Sequence, residues 1–318
     1  MKIDSQLAPH RTGRESALTI GVFDGVHLGH RHLISRLREV ADRSGRLSGV
    51  LTFNNHPASV LRPDFLGRYL TSLDDRLLLL AELGPYLVLP VSFDLELSRL
   101  AAREFVALLQ DRLLMKDLVV GPDFAMGHNR EGDVSTLAAL GSEMGFTLHV
   151  VEPFLDEAGH AIRSTHVRDA LTEGDISTAS ELLGRNFTLR GVVELGESRG
   201  GPLGFPTANL GVRDGMAVPA DGIYATWGLI AGDRHMAATS IGVRPTFGKG
   251  QRTIEAFVLD YEGDLYGQQI GLEFVSRLRP EIRFDSVQEL QEQVRQDVAD
   301  TRAVLEGGQV APGSEVRG

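Results

Sequence analysis

Two histidines three residues apart in "GVFDGVHLGH", His27 and His30, follow directly on an apolar run and lead into a stretch of helical spacing. If that run is a strand, both imidazoles fall at the start of the next helix, where unpaired backbone N–H groups and the helix dipole already favour an anion. Histidines placed there can grip phosphate. A second group, "RSTHVRDAL" at 163–171, sets Ser164, Thr165 and Arg168 at another expected helix start, with two hydroxyls and a guanidinium suited to phosphate oxygens. A third lies in the second half. There the glycines from Gly196 through Gly201 to Gly204 make a pliable loop whose amides can wrap phosphates, and Pro206 fixes the chain before Thr207 and Asn209. In "IEAFVLDY", period-two alternation puts Glu255 on one face with Phe257 and Leu259, which suggests either a catalytic base or an edge carboxylate facing water. Taken singly, such patterns are more often caps and turns. Their conjunction points to phosphate chemistry.

The elements that must hold these groups follow from patterning. The runs "ALTIGVF", "GVLTF", "YLVLPV", "DLVVG" and "LHVVEPF" are short and separated by helix-like stretches, the rhythm of a parallel sheet with crossover helices. Leu33, Ile34, Leu37, Val40 and Ala41 recur at helical spacing, and "TSLDDRLLLLAELG" opens on a Thr/Ser/Asp cluster and closes on glycine. After about residue 184 the texture becomes antiparallel β, with "FTLRGVVELG", "GIYATWGLIAG", "MAATSIGV" and "RTIEAFVLDYEG" broken by glycine turns. Val287, Leu290, Val294 and Val298 then predict one amphipathic helix capped by Asp285 and Ser286, followed by a loose tail. The expected domains are 1–184 and 185–318.

Composition bounds the rest. The 318 residues, 42% hydrophobic and 24% charged, suffice for two cores. With no cysteine, thiolate metal sites, iron–sulfur clusters and cysteine nucleophiles are excluded, so any metal sits on oxygen or imidazole. A net charge of −11 disfavours non-specific nucleic-acid binding. No window is apolar enough for a membrane span and the first residues lack the core of a signal peptide, so a cytoplasmic protein without a membrane partner is expected.

The turn "GVFDGVHLGH" closely resembles that of bacterial bifunctional riboflavin kinase/FAD synthetases, and "TFNNHP" at 52–57, "GPDFAMGHNREGD" at 121–133 and "RSTHVRDAL" follow in that family's order. From residue 182, "LLGRNFTLRGVVELGESRGGPLGFPTANL", "PADGIYA", "SIGVRPTFG" and "IEAFVLDYEGDLYGQ" are similar to its riboflavin kinase module. The resemblance implies a Rossmann-like nucleotidylyltransferase domain followed by a small antiparallel Greek-key β-barrel with a C-terminal helix. It implies that the second domain phosphorylates riboflavin to FMN, and that the first transfers AMP from ATP to FMN, giving FAD and pyrophosphate. ATP is the co-substrate of both steps, with magnesium serving each. By the same resemblance, Gly21, Phe23, Asp24, His27, Gly29, His30, Ser164, Thr165 and Arg168 would form the adenylyl site, with Asp123 and Phe124 beside it. Asp24 is either a turn residue or a polar wall of that pocket, and Gly29 lets the backbone approach the nucleotide. Gly196, Gly201, Gly204, Pro206, Thr207, Asn209 and Glu255 would form the kinase site. There Thr207 and Asn209 offer neutral oxygens to magnesium, and Glu255 takes the proton of the ribityl hydroxyl. Arg244 is read as a loop brace.

Two positions depart from the family's usual pattern, Asn55 and Arg163, the latter adding charge near the triphosphate. They are the support for a different reading, a riboflavin kinase whose first domain is catalytically degenerate and only binds nucleotide. A nucleotidylyltransferase for another phosphate compound is more distant, since "GFPTANL" and "GDLYG" are intact.

Overall fold

The computed structural model describes residues 2–62, 64–65, 67–195, 205–243 and 252–307. It divides into two compact units, Met1–Ser164 and Thr165–Gly318.

The first unit runs α1 (Lys2–Leu7), β1 (Ser16–Gly21), α2 (Leu28–Ser44), β2 (Leu47–Phe53), α3 (Pro57–Leu61), α4 (Leu73–Glu82), β3 (Leu87–Val91), α5 (Ala102–Leu113), β4 (Met115–Val120), a small hairpin of β5 (Ala125–Met126) and β6 (Gly132–Asp133), α6 (Val134–Met144) and β7 (Thr147–Val150). Five strands make a parallel sheet in the order β3-β2-β1-β4-β7, a Rossmann-like arrangement. Every residue of β2 is buried, as expected of a strand covered on both faces. The covers are two apolar clusters, one around Ile34, Leu37, Val50 and Leu80, the other around Leu18, Leu51, Phe105 and Leu109. Helix α2 buries Ile34, Leu37 and Ala41 of its predicted stripe and ends at Gly45, whose φ of 67° puts it in the left-handed region and returns its N–H to Ala41. The N-terminal α1, which carries no periodic signal in the sequence, buries Ile3 and Leu7.

The second unit begins within α7 (Ser164–Glu173), continues through α8 (Ile176–Leu183), and is built on β8 (Phe187–Glu194), β9 (Ala208–Gly211), β10 (Gly222–Ile230), β11 (Asp233–Val243), β12 (Arg252–Val258) and β13 (Gln269–Arg279), closed by α9 (Val287–Leu305). The six strands form a closed antiparallel barrel in the order β10-β11-β12-β9-β8-β13. Strands β10, β11 and β12 are sequential hairpins and β13 returns beside β10, a Greek key. The closing tail from residue 308 lies outside the described residues. Among those described, no helix is long and apolar enough to cross a membrane.

Helix α9 departs from its predicted apolar stripe. Val287 is 60% exposed and Leu290, Val294 and Val298 are only half-buried, while its deeply buried residues are Asp297 and Thr301. The cause is Arg279 of β13, which grips Asp297 through Nε and Nη2, each at 2.7 Å, while Gln293 donates to the same carboxylate. A polar anchor thus replaces an apolar seam. Asp297→Ala would strand the half-sheltered guanidinium, and we expect a loss of about 2–3 kcal/mol, less than for a fully buried pair. Urea unfolding followed through the single tryptophan, Trp227 of β10, reads this directly.

Candidate functional site

The turn after β1 is strained and stapled. Phe23, Gly25 and Val26 all have positive φ (52°, 82° and 42°), a conformation that a β-branched residue such as Val26 adopts only when its surroundings impose it. The buried Asp24 carboxylate does the imposing: it accepts from Leu70 N at 2.9 Å, from Thr71 N at 3.2 Å and from Thr71 Oγ1 at 3.3 Å. Thr71 Oγ1 in turn accepts from Gly25 N, and Ser164 Oγ donates to the Asp24 carbonyl at 2.9 Å. The Asp24 carboxylate is therefore committed to tying the turn to the Leu70–Thr71 segment. Phe23 is 3% exposed, its ring filling the space that a side chain at Gly21 would need.

His27 caps α2, its Nδ1 accepting from His30 N at 3.4 Å. The two imidazoles stack with centroids 3.6 Å apart and planes 21° off parallel, and Phe23 meets the His30 ring edge-on. Gly29 serves this stack. A Cβ there would come within 3.1 Å of both His27 Cε1 and the Ile162 carbonyl, so its bareness admits a ring and a protein backbone, where the sequence reading assigned that space to the nucleotide. Burial, with His27 and Arg76 nearby, holds His30 well below the ordinary imidazole range.

At the C-terminal ends of β1 and β2 lies a cavity of about 580 Å³. This is where open parallel sheets place their ligands. Phe53, Phe93, Phe105 and Phe124 give it an aromatic lining, Gly21 and Asp123 border it, and His56, Arg62, His128 and Arg130 add polar groups. Sequence reading singled out only Gly21, Asp123 and Phe124 of these, because topology assembles the lining from segments as far apart as Gly21 and Arg130. Arg163 ion-pairs with Asp123, both side chains being largely exposed. Asn55 pairs with both backbone groups of Phe93, donating at 2.9 Å and accepting at 3.0 Å, and so closes the chain like a strand partner. Thr165, exposed, and Arg168, half-buried, follow on α7 in the second unit.

Arg76 was also missed. It is 1% exposed, donates from Nη2 to the Phe53 carbonyl at 2.7 Å, and has no hydrogen-bond partner for Nε or Nη1 among the described residues. The signal was present: Arg76 stands four residues before the buried Leu80, on the inward face of α4.

In the barrel, Thr207 Oγ1 donates to Glu255 Oε2 at 3.1 Å, and Asn209 of β9 stands directly opposite Glu255 of β12. Three oxygen-bearing side chains thus share one outer patch. Glu255 and Phe257 are half-buried, whereas Ile254, Ala256 and Val258 point into the barrel; Leu259, predicted to share Glu255's face, lies beyond the strand and is buried. The apolar neighbour of Glu255's face is instead the Phe205 ring, set edge-on to Phe257 at 5.4 Å. A cavity of about 320 Å³ opens beside Pro206, Thr207 and the Tyr261–Tyr266 turn. Gly196, Gly201, Gly204 and Arg244 lie outside the described residues.

Residues 10–166 match the family model for FAD synthetase, and residues 183–305 that for riboflavin kinase. A bifunctional riboflavin kinase/FMN adenylyltransferase from Escherichia coli is 38% identical, covering 90% of this chain and 91% of that protein. One from Listeria monocytogenes is 35% identical, covering 92% and 93%. A crystal structure named as a macrolide-efflux protein, from Streptococcus pneumoniae, aligns with a TM-score of 0.83 at 30% identity over 91% of this chain and 94% of that one. The efflux name is that protein's own. These likenesses support two activities, and not the degenerate-domain reading.

Proposed function

The chain belongs to the bifunctional riboflavin kinase/FMN adenylyltransferase family, and from that premise we propose which of its residues perform each reaction. Riboflavin is phosphorylated by ATP to FMN, and FMN is adenylated by a second ATP to FAD with release of pyrophosphate.

For the adenylyl step, the carrying observation is the stacked His27–His30 pair on the strained turn that follows Gly21 and Val22, two residues of the aromatic cavity's lining. In this reading the flavin ring lies among Phe53, Phe93 and Phe124, and the FMN phosphate attacks the α-phosphate of ATP. The new P–O bond forms as the bond to pyrophosphate breaks, and the imidazoles donate to the oxygens that gain charge. Ser164 fixes the turn, and Thr165 and Arg168 take the outer phosphates. Asp24 and Phe23 act through the loop they brace.

For the kinase step, Glu255, held by Thr207, takes the proton of the terminal ribityl hydroxyl as that oxygen attacks the γ-phosphate and ADP departs. The Pro206–Tyr266 cavity takes the nucleoside. A hydroxyl, an amide and a carboxylate on adjoining positions form a hard oxygen set that fits magnesium, with Thr207 and Asn209 as its protein ligands. Bound there, the ion neutralises phosphate charge. FMN passes from one reaction to the next through solution. A cytoplasmic setting suits the use of ATP.

We further propose that the kinase folds alone from Arg185, past the α8 cap at Gly184. A 185–318 fragment given riboflavin and ATP should make FMN with magnesium, stop when the ion is chelated, and make no FAD. An inactive fragment that is folded would contradict the boundary.

A further inference from the structure

Beyond Phe53 the ladder between β2 and β3 is continued by side chains. Its last backbone bond runs from Asn54 N to the Val91 carbonyl at 2.8 Å. From there Ser92 N donates to Gln6 Oε1 of α1, Asn54 Nδ2 donates to Ser92 Oγ, and the Asn55 amide takes both backbone groups of Phe93. A primary amide can do this because it carries the donor and the acceptor of a peptide group. The pairing fixes the backbone that carries the Phe93 ring, and that ring meets Phe53 edge-on, with centroids 5.4 Å apart and planes at 84°. Both rings line the large cavity, as do Leu97, Ser98 and Leu100 further along the same segment. Asp94 holds the segment a second time, accepting from Leu97 N at 2.9 Å. Asn55 is half-buried behind this wall, at one of the two positions where the chain departs from its family's usual pattern.

We propose that Asn55 is a positioning residue for the flavin subsite: its two bonds hold Phe93 against Phe53, so that the aromatic wall stands formed before a flat ring enters. A preformed wall raises affinity because it spares the cost of ordering those side chains on binding. Asn55 therefore acts on the ring-binding part of FMN, through Phe93, and leaves alone the phosphate chemistry at the turn between β1 and α2. Its loss shows in KM for FMN rather than in kcat or in KM for ATP. The proposal rests on the reading that places the flavin among Phe53, Phe93 and Phe124.

Steady-state FAD synthesis from FMN by the full chain, read as pyrophosphate release, tests it. Asn55→Ala should raise KM for FMN about fivefold, the scale of one lost aromatic contact, with kcat, KM for ATP and riboflavin phosphorylation near the parent's. Asn55→Asp keeps the volume and an acceptor for Phe93 N but has no N–H for the Phe93 carbonyl. It should shift KM in the same selective way, and it carries the test if the alanine variant does not fold. Phe93→Leu should raise KM for FMN at least as much, and adding Asn55→Ala to it should bring little further rise, since the asparagine acts through that ring. An unchanged KM for FMN in the folded Asn55 variants, an equal change in kcat or in KM for ATP, or full additivity in the double variant overturns the proposal. If instead Phe93→Leu left KM for FMN untouched, the placement of the flavin would fail and the proposal with it, whereas a rise in Phe93→Leu with none in the Asn55 variants sinks the proposal alone.

Discussion

Glu255→Gln is expected to lower FMN formation from riboflavin by roughly a hundredfold or more, the usual cost of losing a general base. Glutamine keeps the shape and can still accept from Thr207, so the β9–β12 register should survive and the fall should lie in kcat. Conversion of supplied FMN to FAD should continue at the parent rate. Chromatography of the flavins formed from each substrate separates these outcomes, and a parallel loss of both activities in a folded variant would mean that Glu255 is not confined to the kinase site.

The mirror result is expected at the other constellation. His27→Ala and His30→Ala should each cut FAD synthesis from FMN by about a hundredfold or more, as removal of a preorganised donor to developing charge does. Riboflavin phosphorylation should stay near its original rate. His27→Ala also removes the α2 cap, at a cost of about 1 kcal/mol, so its stability needs to be measured beside its activity. His30→Ala has no such cost through capping and is the cleaner of the two. Pyrophosphate release with FMN and ATP reads both; variants as active as the parent would sink the phosphate role of the pair.

Much of this is legible in the sequence. The five parallel strands announce themselves as short apolar runs, and the capped starts of α2 and α4 as His27 and Ser72, because strands and helix ends leave local marks. What was not legible depends on residues far apart in the chain. Asp24 is equally at home as a pocket wall until Leu70 and Thr71, some forty-six residues on, are seen to claim its oxygens. Gly29 reads as room for a ligand until the His27 ring and the Ile162 carbonyl fill it. Periodicity treats every apolar residue of α9 as inward, and it could not anticipate that Arg279 would draw Asp297 under the helix instead. The same blindness hid Arg76, since a cation on an inward face breaks the pattern that is used to find inward faces.

The central claim is that two separate sites on one chain share FMN as a released intermediate. Mixing the Glu255→Gln and His30→Ala chains in one tube with riboflavin, ATP and magnesium tests it most directly. Alone, the first should yield almost no new flavin and the second should stop at FMN; together they should produce FAD, at a rate that rises with the concentration of either chain. A mixture that accumulates FMN but forms no FAD, although the Glu255→Gln chain converts added FMN, would contradict it.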